Sequence, residues 1–127
     1  MKTDERRRRR SQNTTEALIY QLDIARRSSG LRGLLVTDKD GVCIAAAGDT
    51  DACDEVAARA PLVGDKASEF DGTLLSSQAA LPIRLKRFVV KQVELYMCAI
   101  GGDESRRSTS VSQCIGGATR ILSASAA

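Results

Sequence analysis

Apolar residues recur along the chain at spacings that alternate between those of helices and those of strands. After Thr14, Leu18 and Leu22 fall on one face of a helix. Gly30 offers this helix a natural end, because glycine accepts the left-handed conformation common there. Two short aliphatic runs then flank Asp38–Gly41, and an Asp-Gly turn between aliphatic runs predicts an antiparallel hairpin.

An alanine-rich stretch at residues 52–70 predicts a second helix with one broad apolar stripe. Pro61 lies inside this stretch. A proline there removes a backbone hydrogen bond, so it should kink or split the helix near Ala57. The Asp71-Gly72 pair that follows is typical of a turn.

Three strands and a last helix are predicted in the second half of the chain. A short strand at residues 73–77 precedes a strand at 83–90 and a nearly uninterrupted apolar strand at 93–100. After a polar loop, apolar residues at helical spacing begin a third helix near Ser110. The order αββαβββα predicts an α/β fold in which helices flank a central antiparallel five-stranded sheet.

The chain of 127 residues is long enough for one domain and too short for two. We predict a disordered basic tail at residues 1–12, a single domain at 13–123 and a frayed tail at 124–127. Aromatic residues make up only 3% of the chain, so the core should be aliphatic. Such a core buries less area per residue, and self-association would add stability.

The net charge of +3 is concentrated in the first ten residues. They hold six basic residues against two acidic ones, a net +4, which leaves the remaining chain at −1. The run Arg6–Arg10 fits either a solvated tail or an electrostatic contact with an acidic protein partner, anionic lipid or nucleic acid. No aromatic residue lies among the arginines to stack on bases, which argues against nucleic acid.

A search of the sequence for catalytic and metal-binding motifs finds almost none. The chain has no histidine, which removes histidine general bases, the triads that use them and zinc sites that need imidazole. It also lacks the glycine-rich motifs that cradle phosphates. We therefore predict no catalytic residue, no cofactor, no metal and no enzymatic activity.

The four cysteines lie among apolar neighbours, and no two of them form a Cys-x-x-Cys pair. We predict that all four are buried small apolar groups in a reducing compartment, which favours a cytoplasmic protein. No apolar stretch is long enough for a signal peptide or a membrane span. The four are Cys43, Cys53, Cys98 and Cys114.

The segment at residues 29–45 resembles the first hairpin of the roadblock/dynein light chain family, in particular its bacterial branch of small-GTPase regulators. It reads SGLRGLLVTDKDGVCIA: a helix that ends at a glycine, then an aliphatic hairpin with an Asp-Gly turn. The predicted element order matches that family across residues 14–122. Pro61, the weak third strand and the arginine run depart from the family pattern.

The resemblance implies a profilin-like sandwich that pairs as a homodimer, with the second helices and third strands of two copies in contact. The small alanines of the second helix would allow close approach of a second copy. The same stripe could equally pack on the chain's own sheet, and both uses stay open. The candidate dimer residues are Val56, Ala57, Ala60, Val63, Ala67, Leu74 and Leu75.

The resemblance also implies a protein partner, such as a small Ras-like GTPase, that docks beside the paired helices. Charged residues next to the apolar stripe would rim that surface, where charges set association rate and partner choice. These candidate partner-binding residues are Asp54, Glu55, Arg59 and Lys66. Two functions fit: a GTPase regulator or scaffold without catalytic residues, and a stand-alone assembly or ligand-sensing domain without a GTPase partner.

Overall fold

A computed structural model describes residues 2–76 and 79–125 of the chain, and within them the predicted order αββαβββα is confirmed. The side chains of residues 12–76 and 79–124 are described as well. The elements are α1 (Lys2–Ser29), β1 (Gly33–Asp38), β2 (Cys43–Gly48), α2 (Thr50–Lys66), β3 (Glu69–Leu75), β4 (Ala80–Val90), β5 (Val93–Ile100) and α3 (Glu104–Ser125).

The five strands form one antiparallel sheet in the order β2-β1-β5-β4-β3. Strand β5 lies at its centre, as its nearly uninterrupted apolar sequence predicts, and β2 and β3 form the two edges. Helices α1 and α3 cover one face of the sheet, and α2 covers the other. The fold therefore has two aliphatic cores, one on each face of the sheet.

The alternation of side chains along each strand supplies both cores. On β1, Leu34 and Val36 face α1 and α3, whereas Leu35 faces α2. Leu18 and Leu22 of α1 are fully buried in the first core, on the face that their spacing predicts. Because both faces of the central strands are covered, β1 and β5 are apolar nearly throughout.

Helix α1 begins earlier than its apolar pattern indicates. The sequence predicts a start at Thr14 after a disordered tail, but the structure gives residues 2–12 helical backbone continuous with the rest of α1. Arginine and lysine are good helix formers, and neither glycine nor proline interrupts the segment. Apolar periodicity marks only the part of a helix that packs, so it misses a polar extension.

The predicted split of the second helix near Ala57 is wrong, because α2 runs as one helix from Thr50 to Lys66 with Pro61 inside it. Val56, Ala57 and Ala60 are almost fully buried against the sheet, and this packing outweighs the loss of one hydrogen bond. The helix also ends before the predicted residue 70, so Phe70 belongs to the next strand.

The predicted turn at Asp71-Gly72 is likewise wrong, since both residues lie inside β3. A Cβ atom at Gly72 would lie 2.7 Å from Cζ of Phe70, so the glycine here makes room for a neighbouring ring. Asp71 is held by a long-range ion pair with Arg107. The dipeptide Asp71-Gly72 carries no information about this distant arginine, so the dipeptide alone does not distinguish a strand from a turn.

Helix α3 begins at Glu104 rather than near Ser110. Asp103 caps it: the Asp103 side chain accepts a hydrogen bond of 2.8 Å from the backbone N–H of Arg106. The first turns of α3 carry mainly polar residues, so apolar spacing locates only the later turns.

Three of the four cysteines are buried as predicted, but Cys43 is exposed at the start of β2. All four are free thiols. We expect Cys98→Ala, which leaves a small void in place of the fully buried sulfur, to lower the free energy of unfolding by about 1 kcal/mol. Chemical denaturation with and without reducing agent measures this, and unfolding of the unmodified protein by the reducing agent would contradict the expectation.

Candidate protein-interaction surface

Strand β3 presents an uncovered edge of the sheet. Two hydrogen bonds at the ends of the β3–β4 pair show which residues of β3 bond to β4. Arg87 N–H donates to the Ser68 carbonyl, and Ser76 N–H donates to the Ala79 carbonyl, each at 2.8 Å. Even-numbered residues of β3 therefore bond to β4, and the odd-numbered ones direct their backbone N–H and C=O groups away from it. No strand pairs with this outer side in the part of the chain that the structure describes.

Helix α2 is tied to this edge by Arg59. Its guanidinium donates a hydrogen bond to the backbone carbonyl of Leu75, one of the outward-facing groups. Arg59 also pairs with Glu55 one turn earlier on α2, at 3.8 Å. The outer face of α2 and the edge of β3 are thus adjacent, and we call them together the α2–β3 surface.

Two large aliphatic side chains lie exposed on the elements that form this surface, Leu62 on the α2 side of the sheet and Leu75, by strand alternation from Asp71, on the opposite side. Leu62 on α2 and Leu75 at the end of β3 are each 71% exposed. Exposed aliphatic groups beside unpaired strand edges are typical of association sites, because both gain from being covered. The α2–β3 surface therefore offers an unpaired strand edge next to exposed apolar groups.

The predicted dimer residues fall into two groups. Val56, Ala57 and Ala60 are buried in the chain's own core, so the alanine stripe packs on its own sheet. The others lie at or beyond the margin of that core. Of these, Val63 and Leu74 are half-buried, and Ala67 and Leu75 are exposed.

The predicted partner-binding residues all lie on the part of α2 that the sheet does not cover. Asp54 and Lys66 are exposed, and Glu55 and Arg59, which pair with each other, are more covered. Sequence reasoning missed Leu62 for this surface. The sequence feature that indicates Leu62 is its position: it is an apolar residue that lies off the apolar stripe of the helix.

A buried ion pair fixes β3 from the opposite face of the sheet. Arg107 of α3 is 7% exposed, and its guanidinium makes two hydrogen bonds to the Asp71 carboxylate, at 3.0 and 3.3 Å. The same side chain donates to the carbonyls of Gly101 and Gly102, at 3.2 and 2.8 Å. The edge strand is therefore anchored to the start of α3.

The thiols are the groups whose ionisation the fold changes most. Burial raises the pKa of Cys53 and that of Cys114 to about 11, so both remain protonated at neutral pH. Burial, followed by the nearby Asp54 carboxylate, also raises the pKa of Cys43. Across the described residues, no three cysteine or carboxylate side chains come together as a metal site would require.

Comparison with known proteins identifies the fold. No protein-family model matches the chain, and no curated protein matches it closely. Among solved structures, it is similar to Myxococcus xanthus MglB, with 12% identity and a TM-score of 0.60 over 87% of this chain and 91% of that one. A Roadblock/LC7 domain from Streptomyces avermitilis gives 12% identity and a TM-score of 0.57, over 82% and 96%.

The chain has the roadblock fold. A third solved structure, the gliding protein MglB from Thermus thermophilus, supports the same conclusion at 14% identity and a TM-score of 0.56, over 85% of this chain and 90% of that one. The resemblance predicted from the hairpin is thus confirmed at the level of the fold. Within residues 2–76 and 79–125, none of the helices combines the length and apolar character needed to cross a bilayer.

Proposed function

We propose that this chain is a non-catalytic homodimeric adaptor that binds a small Ras-like GTPase and regulates or scaffolds it. The roadblock fold supports the proposal, because the family resemblance implies such partners. The observation that carries it is the α2–β3 surface, where an unpaired strand edge lies beside the exposed Leu62 and Leu75. None of the residues described on this surface has the acid, base or nucleophile arrangement of a catalytic site.

In the proposed dimer, the β3 strands of two copies pair antiparallel and the sheet continues from one copy into the other. This arrangement satisfies the outward-facing backbone groups of β3, which a strand edge otherwise leaves to solvent. It also brings the two α2 helices side by side, with Leu62 between them. The charged residues at the ends of α2 then surround a shared docking face for the GTPase.

Charge reversal at Asp54 and Lys66 tests GTPase docking. Both side chains are exposed, whereas Arg59 also holds the edge of β3, so changing Arg59 would disturb dimer and docking together. We expect the double variant Asp54→Lys, Lys66→Glu to keep its thermal midpoint and dimer mass. Its affinity for the GTPase should fall about tenfold, mainly through slower association at low salt.

The measurement is biolayer interferometry against small GTPases of the same genome, loaded with GDP or with a non-hydrolysable GTP analogue. The matched control, Glu104→Lys with Arg120→Glu, makes the same swap on α3, across the sheet from α2. Normal binding by the α2 variant together with loss in the α3 variant would contradict docking on α2. A stable dimer that binds no GTPase would instead favour the stand-alone assembly domain.

A further inference from the structure

The basic segment at the start of α1 has a geometry that the proposed adaptor role leaves unused. Residues 2–17 continue the helix for about 24 Å before Leu18, the first fully buried side chain among the described ones of α1. Gln12, Asn13 and the residues up to Ala17 are exposed or only partly covered. The backbone of the run Arg6–Arg10 therefore lies about 12–18 Å along the helix axis from the core.

The sequence of this segment favours a helix despite its charge. Asp4 and Glu5 stand near its start, where negative charge suits the helix dipole. They also precede Arg8 and Arg9 by four residues, the spacing and order at which an acid and a base stabilise a helix. The five arginine positions thus lie on a continuous α-helical backbone.

The arginine positions are distributed around the helix axis instead of along one face. Successive residues of a helix are about 100° apart, so the five positions Arg6–Arg10 cover the full circle. Residues 2–13 contain no apolar residue, and a helix without an apolar face cannot insert into a membrane interface. A flat anionic surface would meet only part of this ring of arginine positions, so the partner should be a polyanion whose charges flank the helix on two sides.

We propose that this helix binds in the major groove of duplex DNA through phosphate contacts. That groove is about 12 Å wide, close to the roughly 10–12 Å diameter of a helix, and phosphates line both of its walls. Arginine is well suited to them because its planar guanidinium bonds phosphate oxygens in pairs. The lack of aromatic residues excludes stacking on single strands, but phosphate binding does not need them.

The proposal does not depend on a GTPase partner. The rest of the chain has a net charge of −1, so DNA binding should depend on the segment alone and carry little sequence preference. Two copies in a dimer would present two such helices, and the second contact would then be intramolecular and strengthen the first.

Fluorescence anisotropy with a labelled mixed-sequence duplex of about 20 base pairs tests the proposal on the full-length protein. We expect a dissociation constant in the range of about 10⁻⁶–10⁻⁴ M near physiological salt. The logarithm of the binding constant should fall against the logarithm of salt concentration with a slope of up to about −4 to −5, the limit that five phosphate contacts set.

The triple variant Arg7→Gln, Arg8→Gln, Arg9→Gln should reduce that slope to about −2, weaken binding at least tenfold and leave the thermal midpoint unchanged. The matched control removes three exposed charges elsewhere, through Lys39→Gln, Lys91→Gln and Arg120→Gln, and should bind like the unmodified protein. Equal losses in the two triple variants would overturn the proposal.

Helix geometry is tested separately by Gln12→Pro, which keeps every arginine but breaks the helix beside them. It should weaken duplex binding severalfold, whereas Gln12→Ala should not. Undiminished binding by Gln12→Pro would overturn binding as a helix. So would tighter binding to single-stranded DNA than to the duplex, or binding to vesicles rich in phosphatidylserine in the absence of duplex binding.

Discussion

Replacement of Arg107 by leucine is expected to lower the free energy of unfolding by about 3–5 kcal/mol. Arg107 is 7% exposed, and its loss would leave the Asp71 carboxylate with Arg84, 3.9 Å away, as its remaining ion-pair partner. The carbonyls of Gly101 and Gly102 would lose a donor as well. Urea denaturation followed by circular dichroism measures the change.

The neighbouring arginine supplies the control for that experiment. Arg106 pairs with Asp103 at the surface, at 3.6 Å, and its side chain is 62% exposed. Arg106→Leu should therefore change stability by less than about 1 kcal/mol. If both leucine variants lost the same stability, the anchoring of β3 by Arg107 would be disproved.

The double variant Leu62→Asp, Leu75→Asp should abolish the homodimer at micromolar concentration. Both leucines are exposed, so folding of the single chain should be nearly unaffected. In a dimer each copy would bury two unpaired carboxylates in place of two apolar groups, which raises the dissociation constant by at least about 100-fold. Sedimentation equilibrium should show about twice 13.6 kDa before the change and a monomer after it.

Val42 and Val93 provide exposed aliphatic positions outside the α2–β3 surface, at 59% and 54% exposure. The double variant Val42→Asp, Val93→Asp should leave the dimer mass unchanged. A monomer from the unmodified protein would refute the proposed dimer outright, and dissociation by the valine variant alone would place the contact away from α2 and β3.

Sequence patterns located the elements that form through local interactions or bury one continuous apolar face. The hairpin around Asp38–Gly41, the central strand β5 and the buried stripe of α2 are of this kind. The predictions are wrong where contacts between particular side chains determine the secondary structure. Phe70 and Asp71 belong to a strand because a glycine makes room for the ring and a distant arginine holds the carboxylate, and no periodicity carries that information.

The candidate surface was only partly accessible to sequence reasoning for the same reason. An apolar residue on a helix indicates burial, but it does not say whether the burying partner is the chain's own sheet or another molecule. Ala57 and Ala60 pack internally, whereas Leu62, which breaks the pattern, is exposed. Leu62, the apolar residue of α2 that lies off the amphipathic stripe, is the one that the fold leaves exposed.

The pairing of β1 with β5 has a consequence for how the protein emerges during translation. Gly33 of β1 pairs with Ile100 of β5, so the centre of the sheet joins segments made far apart in time. At about 5–20 residues per second, the ribosome needs roughly 3–13 s to add the intervening residues. Until then one edge of β1 has no strand to pair with. The nascent chain therefore exposes an unpaired, aggregation-prone strand edge until β5 has been synthesised.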